Sequence, residues 1–279
     1  MSIKILKKSA LLAVVATASL AASPTSQADV GFLLPNTFQI AEDGRVTVIA
    51  SFSDRFPGTE HPLRSDDFHI VTPDGKRASF SSVDQLTQMT VLGARLTDPG
   101  VYKLSSGERL GRKGKASRID GALVRVGRDG MDASDLPEDA PIYSAQTATV
   151  SEAYIRRGEV AFPQTLAADG RLTIRLTAKD GYAPGAPLRV AVLFDGAPAP
   201  NAALTLVAPY DAYTENPEGV VIQADENGYA TLVANRAGPH VIYARRMAEA
   251  PADAETNIRS YTTALIFEIA GSGAKATSE

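Results

Sequence analysis

Apolar and polar residues alternate along four segments of the chain. Leu172, Ile174 and Leu176 fall on one side of an extended segment, and Thr173 and Arg175 fall on the other. A strand places successive side chains on opposite faces, so this two-residue period predicts half-buried strands. The same period occurs in segments 46–52, 188–194 and 265–269.

Short turn sequences separate the alternating segments. Among them are Glu42-Asp43-Gly44, Pro73-Asp74-Gly75, Asp98-Pro99-Gly100, Asp169-Gly170, Asp195-Gly196 and Glu226-Asn227-Gly228. Short strands joined by such turns, with little helical periodicity, predict an all-β fold. We expect two tandem immunoglobulin-like β-sandwich domains.

A weak internal repetition sets the expected domain boundaries. Residues 44–104 and 170–243 both run through a strand, a strand ending in Asp-Gly, and a glycine turn into a Tyr-bearing strand. We therefore expect one sandwich at 29–160 and a second at 161–270. Residues 108–144 open basic and close acidic, and we expect them to form a long loop excursion. Residues 151–158 are either a short helix or a bridging strand, and the small polar tail at 271–279 is expected to be flexible.

The N-terminus has the pattern of a secretory signal peptide. Lys4, Lys7 and Lys8 precede an apolar run of 13 residues, Ala10 to Ala22, and the Ser26-Gln27-Ala28 sequence fits a cleavage site after residue 28. A membrane-spanning helix needs about 20 apolar residues, and no comparable run follows. We therefore expect a periplasmic protein with no transmembrane segment in the mature chain.

Composition excludes several classes of site. The 279 residues include no cysteine, which rules out a disulfide scaffold, a thiolate metal site and a cysteine nucleophile. Loss of residues 1–28 would lower the basic count from 28 to 25 against 32 acidic residues, a net charge of about −7. That charge disfavours nucleic-acid binding.

Catalytic sequence motifs are also missing. The chain has no G-x-S-x-G, no H-E-x-x-H, no phosphate-binding G-x-x-x-x-G-K-[ST] and no G-x-G-x-x-G. These absences favour a protein that is not an enzyme. A hydrolase built on buried acids that converge in the fold is the alternative.

Several short segments carry a resemblance to a known family. They are Asp54 to Pro62 (DRFPGTEHP), Pro99 to Tyr102 (PGVY), Glu152 to Arg157 (EAYIRR) and Gly238 to Ala244 (GPHVIYA). In these segments and at its mature start, the chain resembles the exported family catalogued as domain of unknown function 4198. The resemblance implies a β-sandwich body and a periplasmic role in nickel or cobalt uptake, often beside an outer-membrane receptor. Members of that family often begin the mature chain with His, where this chain has Asp29.

The three histidines are the candidate metal ligands. His61 follows Glu60 in a loop, and His69 follows Asp66 and Asp67. If His61, His69 and one of these carboxylates converged, mixed nitrogen and oxygen ligands would suit nickel, cobalt, copper or zinc. His240 is a further candidate at the start of a strand. The alternatives are a surface loop histidine at 61, a solvent-facing strand histidine at 69 and a structural histidine at 240.

A tyrosine-rich loop is the second candidate site. Tyr210, Asp211 and Tyr213 could stack on and hydrogen-bond a sugar, siderophore or peptide, because a phenol has both an apolar face and a polar tip. The alternative is a loop whose tyrosines pack on the sandwich rim. Arg236, Arg245 and Arg246 form a third candidate, an anion-binding patch.

Together these features predict an exported accessory or solute-binding protein that assists uptake of a transition metal ion or metal complex. Its expected partners are an outer-membrane receptor or an inner-membrane transporter. The alternative is a non-metal interaction module that docks on an outer-membrane receptor or a glycan.

Overall fold

The computed structural model describes residues 29–127, 130–160, 168–177, 182–214 and 219–270. The predicted signal peptide (1–28) and tail (271–279) lie outside the described residues, as do positions 215–218 of the tyrosine-rich loop. No helix within the described ranges is long and apolar enough to cross a membrane.

The described residues form nineteen β-strands and two short 3₁₀ turns, Ala133–Asp135 and Asp211–Tyr213. The strands are β1 (Val30–Pro35), β2 (Arg45–Ser53), β3 (His61–Pro62), β4 (His69–Val71), β5 (Arg77–Ala78), β6 (Ser82–Gln85), β7 (Thr90–Arg95), β8 (Gly100–Ser105), β9 (Arg109–Ile119), β10 (Ala122–Val126), β11 (Ile142–Arg157), β12 (Leu172–Leu176), β13 (Pro187–Phe194), β14 (Ala197–Pro198), β15 (Ala203–Val207), β16 (Val220–Gln223), β17 (Tyr229–Val233), β18 (Gly238–Glu249) and β19 (Ile258–Ile269). The all-β prediction is confirmed.

The strands form three sheets. A five-stranded sheet has the order β1-β2-β7-β6, with β3 also paired to β2. A ten-stranded sheet has the order β16-β15-β18-β19-β11-β8-β4-β5, with the β9–β10 hairpin attached to β11. A four-stranded sheet contains β12, β13, β14 and β17.

The ten-stranded sheet is the middle layer, and each of its faces carries a hydrophobic core. Neighbouring residues in its strands point to opposite cores: Ile155 and Ile266 pack toward the five-stranded sheet, while Tyr154 and Leu265 pack toward the four-stranded sheet. Two sandwiches therefore share one sheet.

The two predicted units share this sheet because β11, from the first, pairs in parallel with β19, from the second. Their register runs from Ala145 opposite Ile258 to Ala153 opposite Ile266. The predicted boundary at 160/161 thus separates strands that lie in the same sheet. Residues 148–155 are all buried, since the five-stranded and four-stranded sheets cover the two faces of β11. A strand buried on both faces has no alternation of apolar and polar residues, so the sequence pattern does not distinguish a helix from a strand at 151–158.

Strands β9 and β10 occupy residues 109–119 and 122–126 of the predicted loop excursion at 108–144. β9 and β10 form a hairpin that turns at Asp120 and Gly121, with φ angles of 48° and 81°. Positive φ at both turn positions, with an Asp-Gly sequence, is typical of a tight two-residue hairpin. The hairpin carries no alternating pattern in the sequence, because β9 has few apolar residues and is mostly exposed along residues 109–115.

Candidate functional site

The structure places His61 on the surface of the five-stranded sheet. It is exposed and pairs with Phe52 across β2 and β3. The carboxylate of the adjacent Glu60 accepts a hydrogen bond from the Ser53 hydroxyl at 3.0 Å. His61 therefore fits the surface-histidine alternative.

His69 is buried in β4, within the ten-stranded sheet, with 5% of its surface exposed. Its Nδ1 lies 2.8 Å from the Asp67 carbonyl oxygen and 2.7 Å from a guanidinium nitrogen of Arg77. A protonated Nδ1 donates to Asp67, whereas an unprotonated Nδ1 accepts from Arg77. The Asp67 carboxylate pairs with Arg77 at 2.5 Å. The solvent-facing alternative for His69 is therefore wrong.

The predicted metal ligands are not grouped. His61 and His69 belong to different sheets, and no three His, Asp or Glu side chains in the described part of the chain are arranged to hold a metal ion. The guanidinium of Arg77 beside His69 also opposes a second cation there.

His240 is a buried structural residue, with 1% of its surface exposed. Its Nδ1 lies 3.0 Å from the Gly238 carbonyl oxygen, and its ring stacks on Phe267 with centroids 6.1 Å apart. Burial lowers the pKa of His240, so the neutral ring is favoured. The Nδ1–H then donates to Gly238, as in the structural alternative.

A buried cluster of charges surrounds Lys103, a residue that belongs to none of the sites predicted from the sequence. The Lys103 Nζ lies 2.7 Å from Glu152 Oε1 and 2.8 Å from Asp169 Oδ2. Lys103 and Glu152 are 1% and 3% exposed. His69 Nε2 lies 3.2 Å from Asp169 Oδ2, an ion-pair distance without good hydrogen-bond geometry. We call these four residues the buried ion cluster.

Strand register assembles the cluster. His69 of β4 lies opposite Ser105 of β8, and Lys103 of β8 lies opposite Tyr154 of β11. Two-residue steps along β8 and β11 place Lys103 and Glu152 on the same face of the sheet as His69. Asp169 comes from the segment before β12 and contacts them from outside the strands.

The pKa values follow from burial and from these contacts. Burial raises the pKa of Glu152, and the charge of Lys103 only partly offsets it. Burial alone would raise the pKa of Asp169, but His69, Lys103 and Ser105 together hold it below its ordinary value. Burial alone would lower the pKa of His69, but Asp169 and the Asp67 carbonyl raise it above its ordinary value.

The cluster joins strands rather than forming an accessible catalytic site. Both acids point at Lys103, and Glu152 is too buried for a substrate to reach it. One signal in the sequence could have indicated it. Lys103 and Glu152 interrupt the apolar stretches around Val101–Leu104 and Val150–Ile155, and a charge at such a position needs a partner.

The tyrosine-rich loop divides into a packed part and an exposed part. Arg236 lies over the Tyr210 ring, 4.2 Å from its centroid. The Asp211 carboxylate accepts a hydrogen bond from the backbone N–H of Ala208 at 2.8 Å. Tyr213, in contrast, is 90% exposed. Tyr210 and Asp211 thus stabilise the loop, whereas the Tyr213 side chain is largely accessible to solvent.

An exposed sheet edge follows this loop. Strand β16 pairs with β15 on one side, and no other described strand pairs with it. Val220 and Val221 are 62% and 63% exposed. Consecutive strand residues face opposite ways, so both faces of β16 are exposed at these two positions. We call Val220 and Val221 the apolar edge.

The family assignment agrees with the resemblance found in the sequence. The family model described as Domain of unknown function (DUF4198) matches residues 26–248. This chain belongs to the DUF4198 family. In this DUF4198 protein the match covers strands β1 to β17 and all of β18 except its last residue, Glu249. No curated protein matches the chain in sequence.

Solved structures with some similarity to this DUF4198 chain include immunoglobulin-like proteins. The D0-D1 domain of intimin is 14% identical, with 86% of this chain and 98% of that chain covered and a TM-score of 0.20. Murine CEACAM1b is 10% identical, with 86% and 99% covered and a TM-score of 0.20. Trypsin-activated alpha-2-macroglobulin from Escherichia coli is 12% identical, with 86% and 16% covered and a TM-score of 0.24. Scores this low carry no argument about function.

Proposed function

We propose that this protein is an exported, non-catalytic accessory module of the periplasm that docks on a partner protein through strand β16. The observation that carries the proposal is the apolar edge, where Val220 and Val221 are each more than 60% exposed at an unpaired edge of the largest sheet.

An exposed sheet edge binds an extended partner segment by adding it as a further strand. The outward backbone N–H and C=O groups of β16 supply the hydrogen bonds, and the flanking side chains supply apolar contacts. Natural proteins usually protect such edges with charges, prolines or bulges. The four residues of β16, Val-Val-Ile-Gln, include none of these. An unprotected apolar edge is typical of a surface that is covered by a partner.

Metal uptake enters this proposal through the partner. The family resemblance implies a role beside a nickel or cobalt receptor or transporter. The described residues form no three-ligand cluster, so docking on such a transport protein is better supported than direct capture of the ion. Equilibrium dialysis against nickel, cobalt, copper and zinc tests direct capture, and binding tighter than about 0.1 mM, roughly 5–6 kcal/mol, would favour it over docking.

Site-specific photo-crosslinking tests the docking surface. A photoreactive residue at Val221 is expected to give a discrete adduct with an envelope protein in cells that express the full chain. The same residue at Val233, which is 50% exposed in the four-stranded sheet, is the matched control. The Val221 adduct should persist with a chelator and disappear in a Val220→Lys background. Equal adducts at both positions, or none at Val221, would refute docking through β16.

A further inference from the structure

The buried ion cluster places an amine against a carboxyl group inside the fold. Lys103 Nζ lies 2.8 Å from Asp169 Oδ2, and the two side chains are 1% and 19% exposed. A desolvated lysine amine is a nucleophile once it has lost its proton. A carboxyl carbon is the electrophile with which an amine condenses to form an amide. The pair therefore has both reacting groups of a covalent cross-link.

Glu152 is placed to take the proton from the amine. Its Oε1 lies 2.7 Å from Lys103 Nζ, within the range of about 2.6–3.2 Å expected of a general base. Burial raises the pKa of Glu152, so this carboxylate binds a proton more readily than an exposed one does. Transfer of the proton leaves Lys103 and Glu152 both neutral, a state that burial favours.

His69 faces the oxygen that would leave in the condensation. Its Nε2 lies 3.2 Å from Asp169 Oδ2, which is the same oxygen that Lys103 contacts. The ring is fixed in β4, where its Nδ1 lies 2.8 Å from the Asp67 carbonyl oxygen. A ring protonated at Nε2 can donate to Oδ2 and make the carboxyl group easier to attack.

The surrounding core limits water and holds the groups in place. Lys103 is two residues from Val101 in β8, so both side chains point to the same face. Glu152 is likewise two residues from Tyr154 in β11. Val101 and Tyr154 belong to the core shared with the four-stranded sheet. Groups held together in this way react with effective molarities of about 10⁵ M or more, which favours condensation.

We propose that Lys103 and Asp169 condense in the folded chain to form an intramolecular amide cross-link. A bond forms between Lys103 Nζ and Asp169 Cγ, and the bond between Cγ and Oδ2 breaks. The nitrogen gives up two protons, and the departing oxygen takes up two and leaves as water. Glu152 and His69 relay these protons and end unchanged. The reaction needs no oxidant and occurs once per chain, so it is compatible with a non-catalytic module.

The ion pairs form when the chain folds, and the amide forms from them more slowly. Contacts with His69 and Lys103 outweigh burial and hold the pKa of Asp169 below its ordinary value. The cluster therefore starts as charged groups, and attack on the carboxyl carbon has to wait for proton transfer. Freshly folded chains carry the buried ion cluster, and incubated chains accumulate the cross-link.

The cross-link joins the middle layer to the segment that enters the four-stranded sheet. Lys103 lies in β8, and Asp169 lies 66 residues further along the chain, just before β12. Closing a loop of this length restricts the unfolded chain and stabilises the fold, as a disulfide does. The chain has no cysteine, so no disulfide can take this role.

Intact-mass spectrometry of the full mature chain tests the proposal. Within one sample, each cross-linked chain is lighter than an unreacted chain by one water molecule. The lighter fraction is expected to grow when folded protein is incubated and to stay constant when the protein is incubated in urea. Peptide mapping of the lighter fraction should show the peptide of Lys103 joined to that of Asp169. No lighter chains after incubation, or lighter chains without the joined peptides, would overturn the proposal.

A Lys103→Arg variant separates the cross-link from a second source of water loss. Asp169 precedes Gly170, and an Asp-Gly sequence can lose one water by forming a backbone succinimide. Arginine keeps the positive charge and leaves the Asp-Gly sequence intact, but it cannot form the amide. The lighter fraction should therefore disappear in Lys103→Arg. An equal lighter fraction in this variant and in the parent chain would contradict the proposal.

Two further variants test the role of the general base. Glu152→Gln keeps the side-chain size and removes the base, so it should slow the growth of the lighter fraction at least about tenfold. The matched control is Lys76→Arg, because Lys76 lies 2.6 Å from Asp74 in an exposed pair, and it should leave the growth unchanged. Equal rates in Glu152→Gln and the parent would rule out this mechanism. The joined peptides are sought in the parent chain, so the test stands even if a buried variant fails to fold. None of these results depends on docking through β16.

Discussion

Replacing Lys103 with methionine tests whether the buried ion cluster stabilises the fold. Methionine keeps most of the side-chain volume and removes the charge. Glu152 then loses a partner 2.7 Å away and Asp169 loses one 2.8 Å away. Asp169 retains His69 as a partner at 3.2 Å, so Glu152 loses more electrostatic stabilisation than Asp169 does.

The size of the effect follows from burial. Removing one partner of a buried ion pair costs about 3–5 kcal/mol, because the other charge stays buried without compensation. For a chain of this size each kcal/mol lowers the melting temperature by about 2–4 °C, so we expect a decrease of roughly 6–20 °C.

The loss should depend on pH. Burial already raises the pKa of Glu152, and without Lys103 that pKa rises further. A folded-state pKa above the unfolded value means that the folded variant binds a proton more readily, so its stability increases as pH falls through that pKa. The difference between the variant and the parent should shrink by up to about 1.4 kcal/mol for each pH unit of acidification in that range.

Urea denaturation from about pH 5 to pH 8 measures both quantities. The control is the double variant Lys103→Met with Glu152→Met, which removes both charges and should recover more than half of the lost stability. A single-variant loss below about 1 kcal/mol, or a double variant as unstable as the sum of its two single variants, would refute the reasoning.

Three further predictions concern other parts of the fold. The raised pKa of His69 contributes stability that is present below about pH 6.5 and is lost as pH rises through the folded-state pKa. Urea denaturation of the His69→Gln variant should show that this pH dependence of stability is removed. An unchanged pH profile would contradict the prediction. Gly219 has a φ of 79° and lies against the backbone of Leu206. The Gly219→Ala variant should lose about 1–3 kcal/mol of folding stability and should no longer cross-link from β16. Unchanged cross-linking would count against the role assigned to this edge. Ile155 is fully buried in the middle layer. The Ile155→Ala variant should lose about 2–5 kcal/mol of unfolding free energy, measured by chemical denaturation. A loss below 1 kcal/mol would be inconsistent with a core on that face.

The sequence predicts individual strands, and through them the all-β fold class, where one face of a strand is buried and the other face is more exposed. Segments 46–52, 172–176 and 188–194 alternate clearly, and all three lie in strands of the outer sheets. Alternation fails in β11, since both of its faces are covered. The shared sheet therefore escaped prediction, because the strand that joins the two halves carries no periodic signal.

The candidate sites were less predictable because tertiary contacts create them. Lys103 lies 49 residues from Glu152 and 66 residues from Asp169 in sequence, and only strand register brings them together. Histidine content indicated a metal site, yet burial and hydrogen bonding give His69 and His240 other roles. The packing of Tyr210 likewise depends on where Arg236 lies.

The parallel pairing of β11 with β19 has a consequence for how the polypeptide acquires its structure. Residues 145–153 of β11 cannot pair with residues 258–266 of β19 until the latter have been synthesised, so the central layer of a nascent chain stays incomplete until then. Such long-range pairing slows folding and leaves the β11 backbone open to mispairing in the interval. Chains truncated before residue 258 should therefore aggregate rather than fold as a stable first half.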